Sequence, residues 1–81
     1  MSTVLRVGPY RFFFYSSDGR EPPHIHVEAG DHTAQFWLTP TALAHQHGFA
    51  EHELHEVQQI IEAHHTDLQE AWHALLRPLT N

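Results

Sequence analysis

The aromatic run Tyr10-Arg11-Phe12-Phe13-Phe14-Tyr15 is the segment that decides the fold. Its apolar side chains fall on both faces of an extended chain, which is typical of a central strand covered on both sides. Val4-Leu5-Arg6-Val7 precedes it across Gly8-Pro9, and this pattern predicts two strands joined by a tight turn. The chain is therefore expected to begin as an antiparallel hairpin.

Two more strands are predicted beyond the turn-rich loop that follows Tyr15. The segment HIHVE at residues 24–28 alternates polar and apolar side chains. A period of two places His24, His26 and Glu28 on one face and the two apolar residues on the other. Residues 33–38 form the next apolar segment and predict a further strand.

The pattern then changes to one typical of helices. Thr39 is suited to an N-cap and Pro40 to the first position of a short helix, which Gly48 would close. A long helix is predicted from about Glu51 to Arg77, with a cap at Ala50, a hydrophobic staple between the flanking apolar residues, and Pro78 beyond its end. One apolar stripe runs along it: Leu54, Val57, Ile61, Leu68, Ala71, Trp72 and Leu75.

Strands followed by helices predict an α+β fold. We expect a small N-terminal antiparallel sheet of about four strands, packed against one short and one long C-terminal helix, in a single domain over residues 1–81. A chain of this size buries roughly 60–65% of its unfolded surface, so its stability should be marginal. Small domains of this kind often gain stability by forming a homo-oligomer or by binding a partner.

Charge and composition narrow the functional classes. Four arginines and no lysine stand against ten acidic residues, giving a net charge of −6, which argues against an extended nucleic-acid surface. The absence of cysteine excludes disulfides and thiolate zinc sites. Neither a signal peptide nor an apolar run of about 20 residues is present, so we expect a cytoplasmic protein without a membrane span.

The segment from Asp18 to Glu28 is the candidate functional site, because acidic, basic and histidine side chains lie close together in it. The whole chain holds ten histidines. His24, His26 and Glu28 could converge on a divalent transition metal such as zinc, iron or nickel. The same segment could instead act without metal, through acid–base groups with an arginine that stabilises a developing anion. The candidate catalytic residues are His24, His26, Arg20, Asp18 and Glu21. A purely structural or partner-facing polar row is the third interpretation of these residues.

Several segments resemble the bacterial domain-of-unknown-function 4160 family. The matching segments are 4–7, 10–16, Asp18-Gly19, Glu21-Pro22-Pro23-His24-Ile25-His26-Val27, Phe36-Trp37-Leu38, Gly48-Phe49, Glu53-Leu54 and Ala71-Trp72. The resemblance implies a small protein often encoded beside a member of the domain-of-unknown-function 2442 family. Such a pair would form a two-gene module of toxin–antitoxin or regulatory type, with this chain as the toxin-like half. Helices of the family are usually richer in arginine and lysine, which weakens any nucleic-acid role here.

Three functional hypotheses follow. The first is an interaction module that binds a small protein encoded by a neighbouring gene. The second is a small hydrolase or nuclease in which His24 and His26 act as metal ligands or acid–base groups, and Arg20 binds the anion. The third is metal binding for sensing or structure, without turnover.

Overall fold

The computed structural model describes residues 2–76 and has an α+β fold, as the sequence predicts. Five strands form one antiparallel sheet, followed by two helices. The elements are β1 (Ser2–Val7), β2 (Tyr10–Phe14), β3 (His24–Ala29), β4 (His32–Leu38), β5 (Thr41–His47), α1 (Glu51–Ala63) and α2 (His65–Leu76). A 3-10 turn, Ser16–Arg20, lies between β2 and β3.

The sheet is a simple meander in which the strands lie side by side in chain order. Phe12 and Phe14 of β2 join Ile25 and Val27 of β3 in the core beneath the helices. The opposite face carries the alternate residues. His26 pairs with Phe13 on one side and with Gln35 on the other. This second surface, which also carries Glu28, is called the histidine face below. The predicted alternation in β3 is confirmed by this register.

The segment from Thr39 to Gly48 is a strand and not the predicted short helix. Thr39 and Pro40, joined by a cis peptide bond, form the turn between β4 and β5, and Thr41–His47 then pairs antiparallel with β4. Alanine, glutamine and histidine permit a helix locally, but strand preference depends on the neighbouring strand that supplies hydrogen bonds and packing. The sheet accordingly has five strands and not about four.

The predicted long helix is divided in two at His64. The chain leaves helical geometry there, with φ −112° and ψ 21°, and α2 begins at the next residue. Ile61 and Leu68 are buried on either side of the break, as the stripe predicts, whereas Leu75 is 50% exposed. A seven-residue spacing cannot reveal a change of direction between two buried positions. The predicted helix end at Arg77 and Pro78 lies outside the described residues.

The start of α1 agrees with the sequence prediction. Ala50 precedes the first helical residue, and its N–H donates to Glu53 Oε1 at 2.8 Å. Phe49 is buried and Leu54 packs against the core, so the apolar contact expected around this cap is in place. No helix among residues 2–76 is long and apolar enough to cross a membrane.

Gly48 provides a test of the junction between β5 and α1. Its φ is +94°, and a Cβ there would lie 2.6 Å from His32 Cδ2. Gly30 also has a positive φ, +60°, but a Cβ there would meet nothing within 4 Å. We expect Gly30→Ala to lower the free energy of unfolding by about 1–2 kcal/mol through backbone strain alone. Gly48→Ala should cost more, because the His32 ring must also move. Chemical denaturation measures both free energies of unfolding, and equal decreases in Gly30→Ala and Gly48→Ala would contradict this explanation.

Tyr10 provides a test of how β2 is attached to α1. Its hydroxyl donates to Glu56 Oε1 at 2.8 Å. The pKa of Tyr10 is raised from 10.0 to about 12. Burial is the larger cause, and the Glu56 carboxylate is the second. A raised pKa in the folded state stabilises the fold below pH 10, and this contribution is lost as the pH rises towards 12.

In a Tyr15→Phe background Tyr10 is the sole tyrosine, and absorbance at 295 nm reports its ionisation directly. Glu56→Gln should lower the pKa of Tyr10 but leave it above 10, because burial remains. An unchanged pKa in Glu56→Gln would show that the carboxylate has no part in the shift.

Candidate metal centre

The 3-10 turn places Asp18 beside the start of β3. Asp18 Oδ2 accepts the backbone N–H of Tyr15 at 2.7 Å, and the Asp18 N–H donates to the Tyr15 carbonyl at 3.0 Å. These two bonds close the turn on itself and fix the direction of the carboxylate. Pro22 and Pro23 then lead the chain rigidly into β3. Asp18 is 8% exposed, so its carboxylate lies inside the protein and not in solvent.

Two imidazoles face this carboxylate. His24 Nε2 lies 3.1 Å from Asp18 Oδ1, and His26 Nε2 lies 3.2 Å and 3.1 Å from Asp18 Oδ1 and Oδ2. One ligand atom from each of the three residues lies within 4.8 Å of the other two, and this is the one such group of three among residues 2–76. Asp18, His24 and His26 are called the triad below.

The hydrogen bonds of His24 define its chemistry. Its Nδ1 lies 2.9 Å from the Pro22 carbonyl oxygen, which can only accept, so Nδ1 carries a proton. In neutral imidazole the other nitrogen, Nε2, then holds a lone pair. That lone pair faces Asp18 Oδ1, which is also an acceptor. The contact requires a positive charge, either a second proton on His24 or a metal ion shared by the two groups.

Aromatic side chains surround the triad. The His24 side chain is 1% exposed, and its ring centroid lies 5.1 Å from that of Trp72 and 5.7 Å from that of Trp37. The His26 ring stacks on Phe13 with an interplanar angle of 19°, and the Tyr15 ring meets it edge-on. These contacts hold both imidazoles in fixed orientations, which is the support that a positioned site needs.

Helix α2 supports the triad from behind. A Cβ added at Gly19 would lie 3.0 Å from the Leu76 carbonyl oxygen, so a side chain there would be tight against the end of α2. At the other end of α2, the His65 ring donates to the Leu38 carbonyl and the Gln69 side chain donates to the Thr39 hydroxyl. The helix is thereby attached to the sheet next to the triad.

The electrostatics of the triad favour an ionised aspartate beside a neutral histidine. Burial alone would raise the pKa of Asp18, but the Tyr15 N–H and the two histidines outweigh it, and the pKa of this carboxyl is lowered. Burial lowers the pKa of His26, and the attraction of Asp18 offsets this only in part. Carboxylate and neutral imidazole are the forms that bind a metal ion.

The donor set and its spacing fit a divalent transition metal. Bonds of about 2.0–2.1 Å in a tetrahedral arrangement separate neighbouring ligand atoms by roughly 3.3 Å. The nitrogen–oxygen distances of 3.1–3.2 Å in the triad, which are also hydrogen-bond distances, are close to this separation, and the two imidazole nitrogens lie within 4.8 Å of each other. The Pro22 carbonyl on His24 Nδ1 corresponds to the outer hydrogen bond that metal-binding histidines almost always make. Three protein ligands would leave a position for water or substrate.

None of the other predicted site residues belongs to the triad. Glu28 Oε1 accepts from Arg11 Nε at 2.8 Å and from Arg11 Nη2 at 2.6 Å. Glu21 is largely exposed, with its carboxylate 3.9 Å from His24 Nδ1 and not near Nε2. Arg20 is exposed and makes no hydrogen bond or ion pair with the described residues.

The group that completes the triad is therefore Asp18. In the sequence it is one of several possible additional ligands, because its distance from β3 depends on the path of the loop. The signal that could have identified it is the Asp-Gly pair, in which aspartate closes a turn on its own backbone. Among residues 2–76, neither His32 nor the histidines of α1 and α2 join the triad.

Comparison with known proteins supplies one match. The family model described as a domain of unknown function, DUF4160, matches residues 10–73, which include the whole triad. No curated protein and no solved structure matches the chain significantly. A match over so much of the sequence establishes the family, and we conclude that the chain belongs to the DUF4160 family.

Proposed function

We propose that this protein binds a divalent transition metal through Asp18, His24 and His26. The observation that carries the proposal is the contact of 3.1 Å between Asp18 Oδ1 and His24 Nε2, the nitrogen opposite a protonated Nδ1, where the two groups share either a proton or a metal ion. A shared metal ion resolves that contact and uses all three groups in their metal-binding forms.

The outer contacts of the triad support this proposal. The Pro22 carbonyl orients His24 and the Tyr15 N–H orients Asp18, so two of the three ligands are held by backbone groups. Such outer hydrogen bonds typically change metal affinity or activity 10–100-fold when they are lost. A structural aspartate–histidine pair would need only one imidazole, whereas here two converge on one carboxylate.

The three-residue donor set also defines the reaction class to test. Catalytic zinc sites commonly have three protein ligands and a bound water, whose pKa falls to about 7. Hydrolysis of a phosphoester or a similar bond is therefore the activity that would accompany metal binding in this protein. The exposed Arg20 follows Asp18 by two residues and is the nearest arginine in sequence that could meet an anionic substrate.

The test is zinc titration of the metal-free protein by calorimetry, with native mass spectrometry for stoichiometry. We expect one zinc per chain, and a weakening of at least about 100-fold in Asp18→Asn or His26→Gln, since each loses a direct ligand and not only an outer contact. His52→Gln with His55→Gln is the matched control, because both are exposed histidines of α1. Zinc should raise the melting temperature by mass action in wild type and in the control only.

Cobalt provides a second readout in the same experiment. Trp37 and Trp72 both lie against His24, so cobalt bound at the triad should quench their emission. Thermal unfolding in chelator establishes that each variant is folded. Equal zinc binding by wild type and by Asp18→Asn, or no stoichiometric binding by folded wild type, would overturn the proposal.

Partner binding, within a two-gene module of toxin–antitoxin or regulatory type, is the second candidate function. The observation that favours it is the edge strand β5, in which Leu43 is 43% exposed. Edge strands can accept a strand from another chain, and an exposed leucine beside such an edge suits a protein partner.

Co-expression with the product of the neighbouring gene should then give a complex on gel filtration, and Leu43→Lys should weaken it by about tenfold or more. Gln59→Lys, on the exposed part of α1, introduces the same charge and should leave the complex intact. Separate elution of the two wild-type proteins at micromolar concentration would refute this candidate.

A further inference from the structure

A cavity of about 260 Å³ opens on the histidine face, next to the triad. It is lined by Phe13, Tyr15, His26, Val27, Glu28, Thr33, Ala34 and His45. At about 30 Å³ per water it has room for roughly eight or nine water molecules, which is enough for a small organic molecule. His26 is the one residue that the cavity wall and the triad share.

The two ring nitrogens of His26 differ in their contacts. Its Nε2 faces Asp18, whereas Nδ1 makes no hydrogen bond with residues 2–76. No side-chain nitrogen or oxygen in this part of the chain is both fully buried and without a partner, so His26 Nδ1 is not fully buried. Coordination of a metal by Nε2 places the imidazole proton on Nδ1. Metal-bound His26 therefore presents an N–H donor that the described protein does not satisfy.

His24 has a hydrogen-bond acceptor for its outer N–H, whereas His26 has none among residues 2–76. Metal-binding histidines usually donate their outer N–H to a carboxylate, a carbonyl or water. His24 donates to the Pro22 carbonyl. We propose that the cavity on the histidine face binds a small carboxylate, which accepts from His26 Nδ1 and completes a carboxylate–histidine–metal arrangement. This inference rests on the proposed metal site.

The net charge around His26 makes binding of an anion in the cavity depend on a metal ion at the triad. Asp18, Glu28 and Arg11 together carry a net charge of −1 around His26, and His24 and His45 are the other titratable groups that act on it. A divalent ion on the triad turns this sum positive. Glu28 is at the same time neutralised by Arg11, since two guanidinium nitrogens donate to its Oε1. A carboxylate should accordingly bind the metal-loaded protein and not the metal-free form.

The remaining cavity wall suits a carboxylate on a flat apolar body. The hydroxyls of Tyr15 and Thr33 make no hydrogen bond with residues 2–76, and each can donate to a carboxylate oxygen. Phe13, Val27 and Ala34 form the apolar part of the same cavity wall. The ligand class is therefore a small aromatic or aliphatic carboxylate, either a free acid or the carboxylate of a polypeptide.

The test measures zinc affinity by competition with a chelating dye, with and without saturating benzoate. We expect benzoate to strengthen zinc binding about tenfold, the lower end of outer-contact effects. By reciprocity, zinc must strengthen benzoate binding by the same factor. Benzamide, which has the same shape but no charge, should have no effect. A tripeptide with a free C-terminal carboxylate, set against its amidated form, distinguishes a polypeptide source from a free acid.

Thr33→Val provides the matched variant, because it removes one donor and keeps a β-branched strand residue. It should weaken benzoate binding to the zinc form about tenfold and leave zinc affinity without benzoate unchanged. Stoichiometric zinc binding that neither benzoate nor the peptide alters would overturn this inference and leave the metal site standing. Absence of zinc binding would overturn both.

Discussion

The Asp18 carboxylate is the group on which the arrangement of the histidine face depends. It accepts the backbone N–H of Tyr15 at the end of β2 and faces two imidazoles at the start of β3. One side chain thus ties the loop after β2 to the start of β3, beyond the point where the two strands pair directly. Its burial is costly for a charge, and the cost is offset only because three hydrogen-bonding groups converge on it.

Helix α2 is the second part of this support. Trp72 packs on both Phe14 and His24, so a single indole contacts the apolar core and the triad together. Gly19 lies close to the end of the same helix, where an added Cβ would be 3.0 Å from the Leu76 carbonyl oxygen. A substitution in α2 would therefore reach the triad through packing, without any contact with Asp18.

Much of the fold could be predicted from the sequence, and the reasons differ between elements. The alternation in residues 24–28 predicts which face holds His24 and His26, because a strand has a period of two. Residues 41–47 lack such an internal signal. They form a strand because β4 offers them a hydrogen-bonding edge, and this contact lies outside the segment itself. The break at His64 could not be predicted from the apolar spacing, because Ile61 before it and Leu68 after it are both buried, as they would be in one continuous helix.

Only part of the triad could be predicted from the sequence. Neighbouring positions on one strand are fixed by periodicity, so the histidine pair could be identified. The third group comes from a loop, and Glu28 is drawn to Arg11 by a strand pairing that the sequence does not display. Local patterns thus locate residues within an element, whereas partners from other elements require the path of the chain.

The burial of His24 has a consequence for kinetics. Its side chain is 1% exposed beneath Trp72, so no ion can reach or leave Nε2 along that side without displacement of the indole. An ion held by the triad would pass on this side only when α2 opens locally, whereas the side of His26 borders the cavity. Substitutions that loosen the packing of Trp72 would then speed exchange on the His24 side and leave the path beside His26 unchanged.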